Sequence, residues 1–232
     1  EGIRISDGGV VVNELSNDID FRVESNGNAN MLFVDGGNDH VNIGTSTDHG
    51  GVLNIEHGDN TDTVMLVSTD ADGSTGPNLT LYRNSSSPAD ADDTGIINFR
   101  GRNDNSQDFE YAQIKSIITD ASDGSEDGTL ELFHGRNGQL TPSFRLTPTE
   151  VVVNDSSNDL DFRVESNGNT HMIFVDANSN FVGIGTSSPT TALTVNGTIT
   201  HIGGTASSTS DLTSGGLHFH DSSTSAGNIM PI

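Results

Sequence analysis

The chain has 232 residues, of which 31% are hydrophobic and 5% aromatic, and its 33 acidic and 9 basic residues give a net charge of −24. This charge excludes nucleic acid and anionic membrane surfaces as expected partners, because such binding depends on Lys and Arg. Cys is absent, which excludes disulfides and thiolate metal sites. No apolar run approaches the roughly 18 residues of a membrane span, so we expect no membrane insertion.

The supply of large apolar residues is small for a chain of this length. Ile, Val, Leu and Phe account for 56 of the 232 residues, close to the composition at which chains stay disordered. Apolar and polar side chains nevertheless alternate in many segments, and a disordered chain has no reason to keep a two-residue period. We therefore expect β-strands whose narrow apolar faces are buried against other copies of the chain.

In chain order, the first recognisable unit is one that recurs later in the sequence. Val10–Ser46 and Val151–Ser187 align at a fixed offset of 141 with 25 identities in 37 positions. The shared words include "VVVN", "FRVESNGN" and "IGTS". The chain therefore contains two copies of one module.

Each copy contains a segment with the period of a half-buried strand. In "DIDFRVE" the apolar residues alternate with acidic and basic ones, which places them on one face. "SNGN" then indicates a turn, and "MLFVD" and "HVNIG" follow it, so we predict a meander of three or four short strands. The apolar face predicts a repeat core of six residues: Ile19, Phe21, Val23, Leu160, Phe162 and Val164.

The polar face of the same segment carries an arginine in each copy. Arg22 lies between Asp20 and Glu24, and Arg163 has the same acidic neighbours. Residues two apart share a strand face, so each guanidinium can pair with a carboxylate. We expect these arginines to form ion pairs within or between chains and not to bind a ligand.

The region between the two copies also has the pattern of β-strands, but its sequence differs from that of the repeated module. Its strand-like runs are "TVMLVST", "NLTLYR", "GIINFRG", "YAQIKSIITD", "GTLELFHG" and "SFRLTPTEVVVN", separated by loops rich in Asp, Asn, Gly and Ser. No window shows helical periodicity. We predict a first module over residues 1–57, a β-rich insert over 58–146, a second module over 147–199 and a Gly/Ser/Thr-rich segment over 200–232.

The second copy ends in a motif that resembles a known family. "NFVGIGTSSPTTALTVNGTI", from Asn180 to Ile199, resembles the VGIGT-x-x-P-x-x-x-L-x-V-x-G-x-I element of bacteriophage tail fibres and tail spikes. "DFRVESNGN" and "YAQIKSIITDASDGSEDGTLELF" are similar to segments of phage fibre-like structural proteins, and the resemblance covers most of residues 10–199. It implies an elongated homotrimer of interlocked strands that projects from a virion and touches the host surface. Nothing after Ile199 resembles the self-cleaving chaperone domain that ends many such fibres, and we expect the chain to be a processed piece or the ordered part of a longer protein.

Two histidines near the end of the chain are candidate metal ligands. His218 and His220 in "GLHFHD" lie two apart and so share a face if they lie on a strand. In the long tail fibres of some phages, which belong to the family that the chain resembles, such pairs from three chains surround the trimer axis and hold one metal ion. Three pairs of imidazoles would fill an octahedron. The alternative is two exposed histidines without a ligand.

Other candidate chemistry is weaker. Asp70 and Asp72, and the loop from Asp120 to Gly128, place carboxylates at alternate positions as Ca²⁺ loops do, but neither completes an EF-hand, and solvated turns are the simpler interpretation. No nucleophile elbow and no H-E-x-x-H motif occurs, so we expect no enzymatic activity. No cofactor is expected beyond such a metal ion.

These observations together predict an all-β protein: an elongated homotrimeric fibre of short β-strand modules, interlocked or prism-like, with a β-rich insert that is a further shaft unit or a lateral knob. The expected function is that of a structural component of a phage tail fibre that attaches to the host. The expected partners are other virion proteins and a host surface glycan or outer-membrane protein, and the expected location is the virion. A head fibre or decoration protein, a tail-spike polysaccharide depolymerase and a bacterial surface adhesin are the alternatives.

Overall fold

A computed structural model describes residues 3–6, 9–13, 15–73 and 76–198 of the chain. In these ranges every helix or strand element is a β-strand, which confirms the predicted all-β class. The chain divides into two compact units, one ending at Thr80 and one beginning at Leu81. The strands are β1 (Ile3–Ser6), β2 (Gly9–Val12), β3 (Phe21–Val23), β4 (Leu32–Asp35), β5 (His40–Ile43), β6 (Leu53–Ile55), β7 (Asp93–Arg102), β8 (Asp108–Asp120), β9 (Asp127–Arg136), β10 (Gln139–Leu146), β11 (Val151–Val153), β12 (Phe162–Val164), β13 (Ile173–Asp176), β14 (Phe181–Ile184) and β15 (Leu193–Val195).

The first unit contains a two-stranded hairpin and a four-stranded sheet. β1 and β2 form the antiparallel hairpin. In the four-stranded sheet β3, β4 and β5 form an antiparallel meander, and β6 pairs with β5 in parallel. The predicted meander is therefore present, and its fourth strand returns by a crossover that the sequence pattern did not indicate.

The second unit repeats this sheet with the same register. β12 to β15 have the same order and directions as β3 to β6. Phe21 pairs with Val34 in the first sheet, and Phe162 pairs with Val175 in the second. The two pairs are separated by the offset of 141 residues that the sequence repeat has, so sequence and structure repeat together.

The structural repeat begins earlier than the sequence identity does. Ile3 pairs with Val12 in the first hairpin, and Phe144 pairs with Val153 at the junction of β10 and β11. These pairs also lie 141 residues apart, although the aligned segments "IRIS" and "FRLT" share one residue, the arginine. The second module therefore takes its first strand from the end of the insert sheet.

The insert forms a five-stranded antiparallel sheet in sequential order from β7 to β11. β8 is its longest strand, and β7 and β9 flank it over most of its length. Four register shifts, one of them between Phe99 and Arg100, break the regular pairing of this sheet. We call this element the insert sheet.

Two predicted strands are wrong. "TVMLVST" (63–69) and "NLTLYR" (78–83) lie outside every described strand. Their side chains have the composition of strands, but β structure requires a hydrogen-bonded neighbour, and no other described segment of this chain pairs with them. The predicted strand "DIDFRVE" is also shorter than expected, because Ile19 closes a turn onto Asn17 and the strand begins at Phe21.

Candidate functional site

The apolar side chains of this protein lie mostly at its surface. Among the residues that the structure describes, Phe174 is the one large hydrophobic side chain that is buried, at 7% exposure. Ile5 is 78% exposed, and Val52, Tyr82 and Phe99 are all more than half exposed. Each of the four sheets contributes to this set. The chain therefore lacks a hydrophobic interior of its own over the described ranges.

Five of the six residues of the predicted repeat core share this exposure. Phe21 is 38% exposed and its equivalent Phe162 is 39% exposed. Val23 and Val164 lie on the same strand faces as these phenylalanines, because each lies two positions further along the strand. Ile19 and Leu160 precede the strands and are exposed and half-buried respectively. The structure thus groups the six residues on matching surfaces in the two modules, with no covering layer from the described chain.

These residues form part of a groove that occurs once in each module. In the first module Ile19, Phe21 and Val34 provide its apolar wall, and Asn13 and Asp35 lie on its polar side. The groove of the second module is lined by the equivalents of all five, at the offset of 141: Asn154, Leu160, Phe162, Val175 and Asp176. The sequence repeat has therefore preserved a surface as well as a fold.

The predicted ion pairs of the two repeat arginines are confirmed. Arg22 Nη2 lies 2.8 Å from Glu24 Oε1, and Arg163 Nη2 lies 2.8 Å from Glu165 Oε1. All four side chains are about half exposed, so these pairs contribute little to stability. Asp20 does not share the arginine; it accepts a hydrogen bond from the Gly36 amide at 3.1 Å.

One face of the insert sheet carries charges of alternating sign on its central strands, with Ile96 and Val152 at the two ends of the same register row. Lys115 Nζ lies 3.0 Å from Asp93 Oδ1, and Lys115 is the register partner of Glu131 on β9. Arg145 Nη1 donates to Asp155 Oδ2 at 3.2 Å. Its Nε is 3.4 Å from Glu131 Oε1, which is an ionic contact without hydrogen-bond geometry. This series from Asp93 to Asp155 is called the charge ladder below.

The opposite face of the insert sheet is apolar. Antiparallel register partners share a face, and a central row joins one residue from each strand. That row consists of Ile97, Ile114, Leu132, Phe144 and Val153. A second row contains Gly95, Ser116, Leu130, Leu146 and Val151. We call these rows, together with Phe99 and Ala112 beside them, the apolar face of the insert sheet.

The first unit carries three histidine–carboxylate contacts that have no equivalent among the described residues of the second module. His40 Nδ1 is 3.0 Å from Asp48 Oδ1, and His49 Nε2 is 2.8 Å from Glu56 Oε2. His57 Nδ1 is 2.9 Å from Asp59 Oδ1. Sequence analysis missed these contacts, because the crossover between β5 and β6 determines which of these side chains meet.

Hydrogen bonds lower the pKa of each of these three carboxyl groups. For Asp48, the Gly50 amide has the largest effect and the His40 ring follows. The His49 ring lowers the pKa of Glu56, and the Thr61 hydroxyl that of Asp59. All three groups are solvated, so the contacts organise the loop without creating a perturbed catalytic group.

Beneath this loop two asparagines form a buried pair. Asn54 Nδ2 donates to Asn42 Oδ1 at 2.7 Å, and Asn42 is fully buried. Its own Nδ2 has no hydrogen-bond partner. The second module has Gly183 and Thr194 at these register positions, so the buried pair belongs to the first module alone.

The candidate metal sites are only partly within the described structure. His218 and His220 lie outside the described residues. Asp70 Oδ1 accepts the Asp72 amide at 3.2 Å, and Asp120 Oδ1 accepts the Ser122 amide at 2.8 Å, which lowers the pKa of Asp120. Over the described ranges no three His, Asp or Glu side chains form a group that could hold a metal ion.

Comparison of the sequence with known proteins assigns no family to the chain. No protein-family model matches the chain, and no curated protein is significantly similar to it. None of the residues that the structure describes forms a helix with the length and hydropathy of a membrane span.

Proposed function

We propose that this chain is a structural segment of a bacteriophage tail fibre, in which three copies associate through their exposed apolar faces and hold a host-attachment appendage. The proposal depends on the exposure of apolar side chains on all four sheets. Among the described residues, Phe174 is the one large hydrophobic side chain that is buried. Burial of apolar surface is the main favourable term in folding, at about 25 cal/mol per Å². A chain that leaves this surface open gains most by covering it with another chain.

The duplicated groove favours copies of the same chain as the covering partners. The groove lined by Phe21 in the first module recurs around Phe162 with equivalent residues. A partner that fits both grooves must itself present one surface twice. A second copy of a chain with a 141-residue repeat does so, and closed symmetric assemblies are the usual form of homo-oligomers.

The unpaired segments support the same assembly. Val64, Met65, Leu66 and Val67 are consecutive and between 53% and 68% exposed. Such a run is an aggregation hazard if it stays open. In the proposed fibre these residues pair with strands of neighbouring copies.

The assignment to a phage fibre follows the resemblance of the VGIGT element. In this chain the element comprises β14, the turn at Gly185, the buried Pro189 and the parallel strand β15. The residues that define the motif therefore form the crossover from β14 to β15. Such a crossover is expected in a unit that is repeated along a fibre shaft. Three copies are proposed because the fibres that the chain resembles are trimers, and no enzymatic step is part of the proposal.

Light scattering on the purified chain tests the oligomeric state. The expected mass is about three times the chain mass of 24.3 kDa, because the fibres that the chain resembles are trimers. The mass should persist on dilution to submicromolar concentration. A monodisperse monomer with the far-ultraviolet spectrum of β structure would contradict the proposal.

Antibody labelling of virions tests the place of the protein on the particle. Gold-labelled antibodies against the insert sheet should bind along tail appendages in electron micrographs. Labelling on the capsid would instead assign the chain to a head fibre or decoration protein.

A further inference from the structure

The insert sheet has one apolar face and one charged face. The charged side chains have partners within the chain, whereas the apolar side chains of the other face are exposed to solvent. On the charged face, the ladder pairs Lys115 with Asp93 and Arg145 with Asp155. Each of these two cations therefore has a carboxylate partner within its own chain, although Arg145 Nε lacks a hydrogen-bond acceptor. The apolar face has no such compensation, since Ile97, Ile114 and Leu132 remain between 36% and 38% exposed.

The apolar face is continuous over all five strands. Two register rows cross the sheet without a charged residue, from Ile97 to Val153 and from Gly95 to Val151. Leu81 packs where Gly95 has no side chain, since a Cβ there would lie 2.9 Å from the Leu81 Cβ. Leu81 is itself 48% exposed, so it extends the apolar surface without covering it.

The size of the face is that of a protein interface. Eight of its side chains are at least 36% exposed: Ile97, Phe99, Ile114, Leu130, Leu132, Leu146, Val151 and Val153. Together they expose on the order of 600 Å² of apolar surface, which approaches the roughly 800 Å² per partner of a standard interface. A patch of this size on a single chain is characteristic of an interaction site.

The net charge narrows the choice of partner. A chain with a charge of −24 repels anionic lipid surfaces, and a cationic partner would bind its acidic surface in preference to a neutral one. The apolar face lacks charge, so copies of this chain can approach each other there with the least repulsion. It also ends on Val151 and Val153, the equivalents of Val10 and Val12 in the exposed first hairpin.

We infer that the apolar face of the insert sheet packs against the same chain in neighbouring copies, so that the insert belongs to the shared interior of the fibre and the charge ladder faces solvent. This inference rests on the proposed function and specifies its interface. It favours a further shaft unit over a lateral knob that stands clear of the axis.

Thiol labelling tests the inference without disrupting the fold, because the natural chain has no Cys. Ile114 and Gln113 are neighbours on β8 with opposite faces, and both can be replaced singly, as Ile114→Cys and Gln113→Cys. In the intact oligomer, a water-soluble maleimide should label Ile114→Cys at least tenfold more slowly than Gln113→Cys. In urea the two rates should become equal.

The outcomes separate this inference from the proposed function. If the oligomer is intact and both cysteines react at the same rate, the apolar face is not the contact between copies and the inference is overturned, although the fibre proposal stands. The same result would follow if a lipid or a foreign protein were the natural occupant, since the purified chain would leave the face open. If both variants and the natural chain are monomers, the proposed function itself fails.

Discussion

Residues with positive φ define the turns of both modules at matching positions. Asn13 and Asn154 both have φ of 63°, and Asp39 and Asn180 both have φ of 59°. Asn and Asp tolerate this conformation better than other residues that have a Cβ. Asn13 also holds its turn with a hydrogen bond from Nδ2 to Asn17 O at 2.6 Å, and Asn154 does the same at 2.7 Å to Asn158 O. The turns are therefore encoded locally, by single side chains.

The Asp48 carboxyl provides a test of the contacts that are unique to the first module. Replacing the neighbouring histidine by the residue that the second module has at that position, His40→Phe, removes one of the two main hydrogen bonds to the carboxylate. The pKa of Asp48 should rise towards its ordinary value of 3.8 but stay below it, because the Gly50 amide remains. Carbon-detected NMR titration of the carboxyl group measures this change.

The sign of the corresponding stability change follows from linkage. The folded-state pKa of Asp48 is depressed, so its contribution is present above the unfolded value of 3.8 and is lost as pH falls through the folded value. His40→Phe should therefore weaken the acid sensitivity of the first module. His57→Phe is the control, since His57 is not among the groups that set the Asp48 pKa. An unchanged Asp48 titration in His40→Phe would contradict the assigned contact.

At the scale of elements, each module has a crossover that depends on one glycine: from β5 to β6 in the first module and from β14 to β15 in the second. Gly44 has φ of 85° and Gly185 has φ of 72°. A Cβ on Gly44 would overlap the backbone oxygen of Glu56, and one on Gly185 would lie 2.9 Å from Asn196 O. The glycine of the "IGT" word is thus required for both the backbone conformation and the close approach of the parallel strand.

Gly44→Ala should lower the free energy of opening of the first module by about 2 kcal/mol or more, because it combines an unfavourable φ with a backbone clash. Hydrogen exchange measures this loss in the module itself. The Val41 amide, which donates to Val52 O at 2.8 Å, should exchange about 30-fold faster or more. The equivalent Val182 amide in the second module serves as an internal control and should not change.

A second substitution makes the interpretation of Gly44→Ala specific. Gly27 lies in the "SNGN" turn, and a Cβ there would meet no atom within 4 Å. Gly27→Ala should leave the Val41 exchange rate within about twofold of the natural chain. Equal effects of the two substitutions would show that the Gly44 geometry is not what holds the crossover.

The limits of prediction from sequence also lie at the scale of elements. The alternation in "YAQIKSIITD" predicted β8, and the 141-residue repeat predicted two equivalent sheets, because both signals are local or are visible as identity. The pairing of β10 with β11 as a counterpart of the first hairpin was not predictable, since Arg4 and Arg145 are the one identity in the aligned first strands. "TVMLVST" was predicted as a strand and is not one. Residue type and periodicity indicate that a segment suits a strand, but they do not identify the neighbouring strand with which its backbone would pair.

Over the molecule as a whole, most acidic side chains and most exposed apolar side chains occupy different parts of the fold. The acidic residues stay in loops and on polar faces, where Asp35 and Asp176 each accept the amide of a residue three positions later. The apolar residues occupy strand faces that the described chain leaves open. In the proposed trimer, self-repulsion at a charge of −24 would favour contact between copies at these neutral faces.

The repeat core provides the last test, because its two copies should act together in assembly. Phe21→Asp and Phe162→Asp each place a charge without a partner on an apolar face that the proposed trimer covers. Each single substitution should lower the trimer fraction measured by light scattering at a fixed micromolar concentration, and the double substitution should leave mostly monomer. The reason is that burying an unpaired carboxylate costs several kcal/mol at each of three copies.

Matched substitutions in the neighbouring turn separate this effect from added charge. Asn26→Asp and Asn167→Asp add the same charge at exposed positions of the "SNGN" turn and should leave the trimer fraction unchanged. If Phe21→Asp and Phe162→Asp also leave it unchanged, the phenylalanine faces lie outside the interface, and the grooves they line must bind something other than a neighbouring copy. If one substitution acts and the other does not, a single module holds the copies together and the repeat is not a repeated unit of assembly.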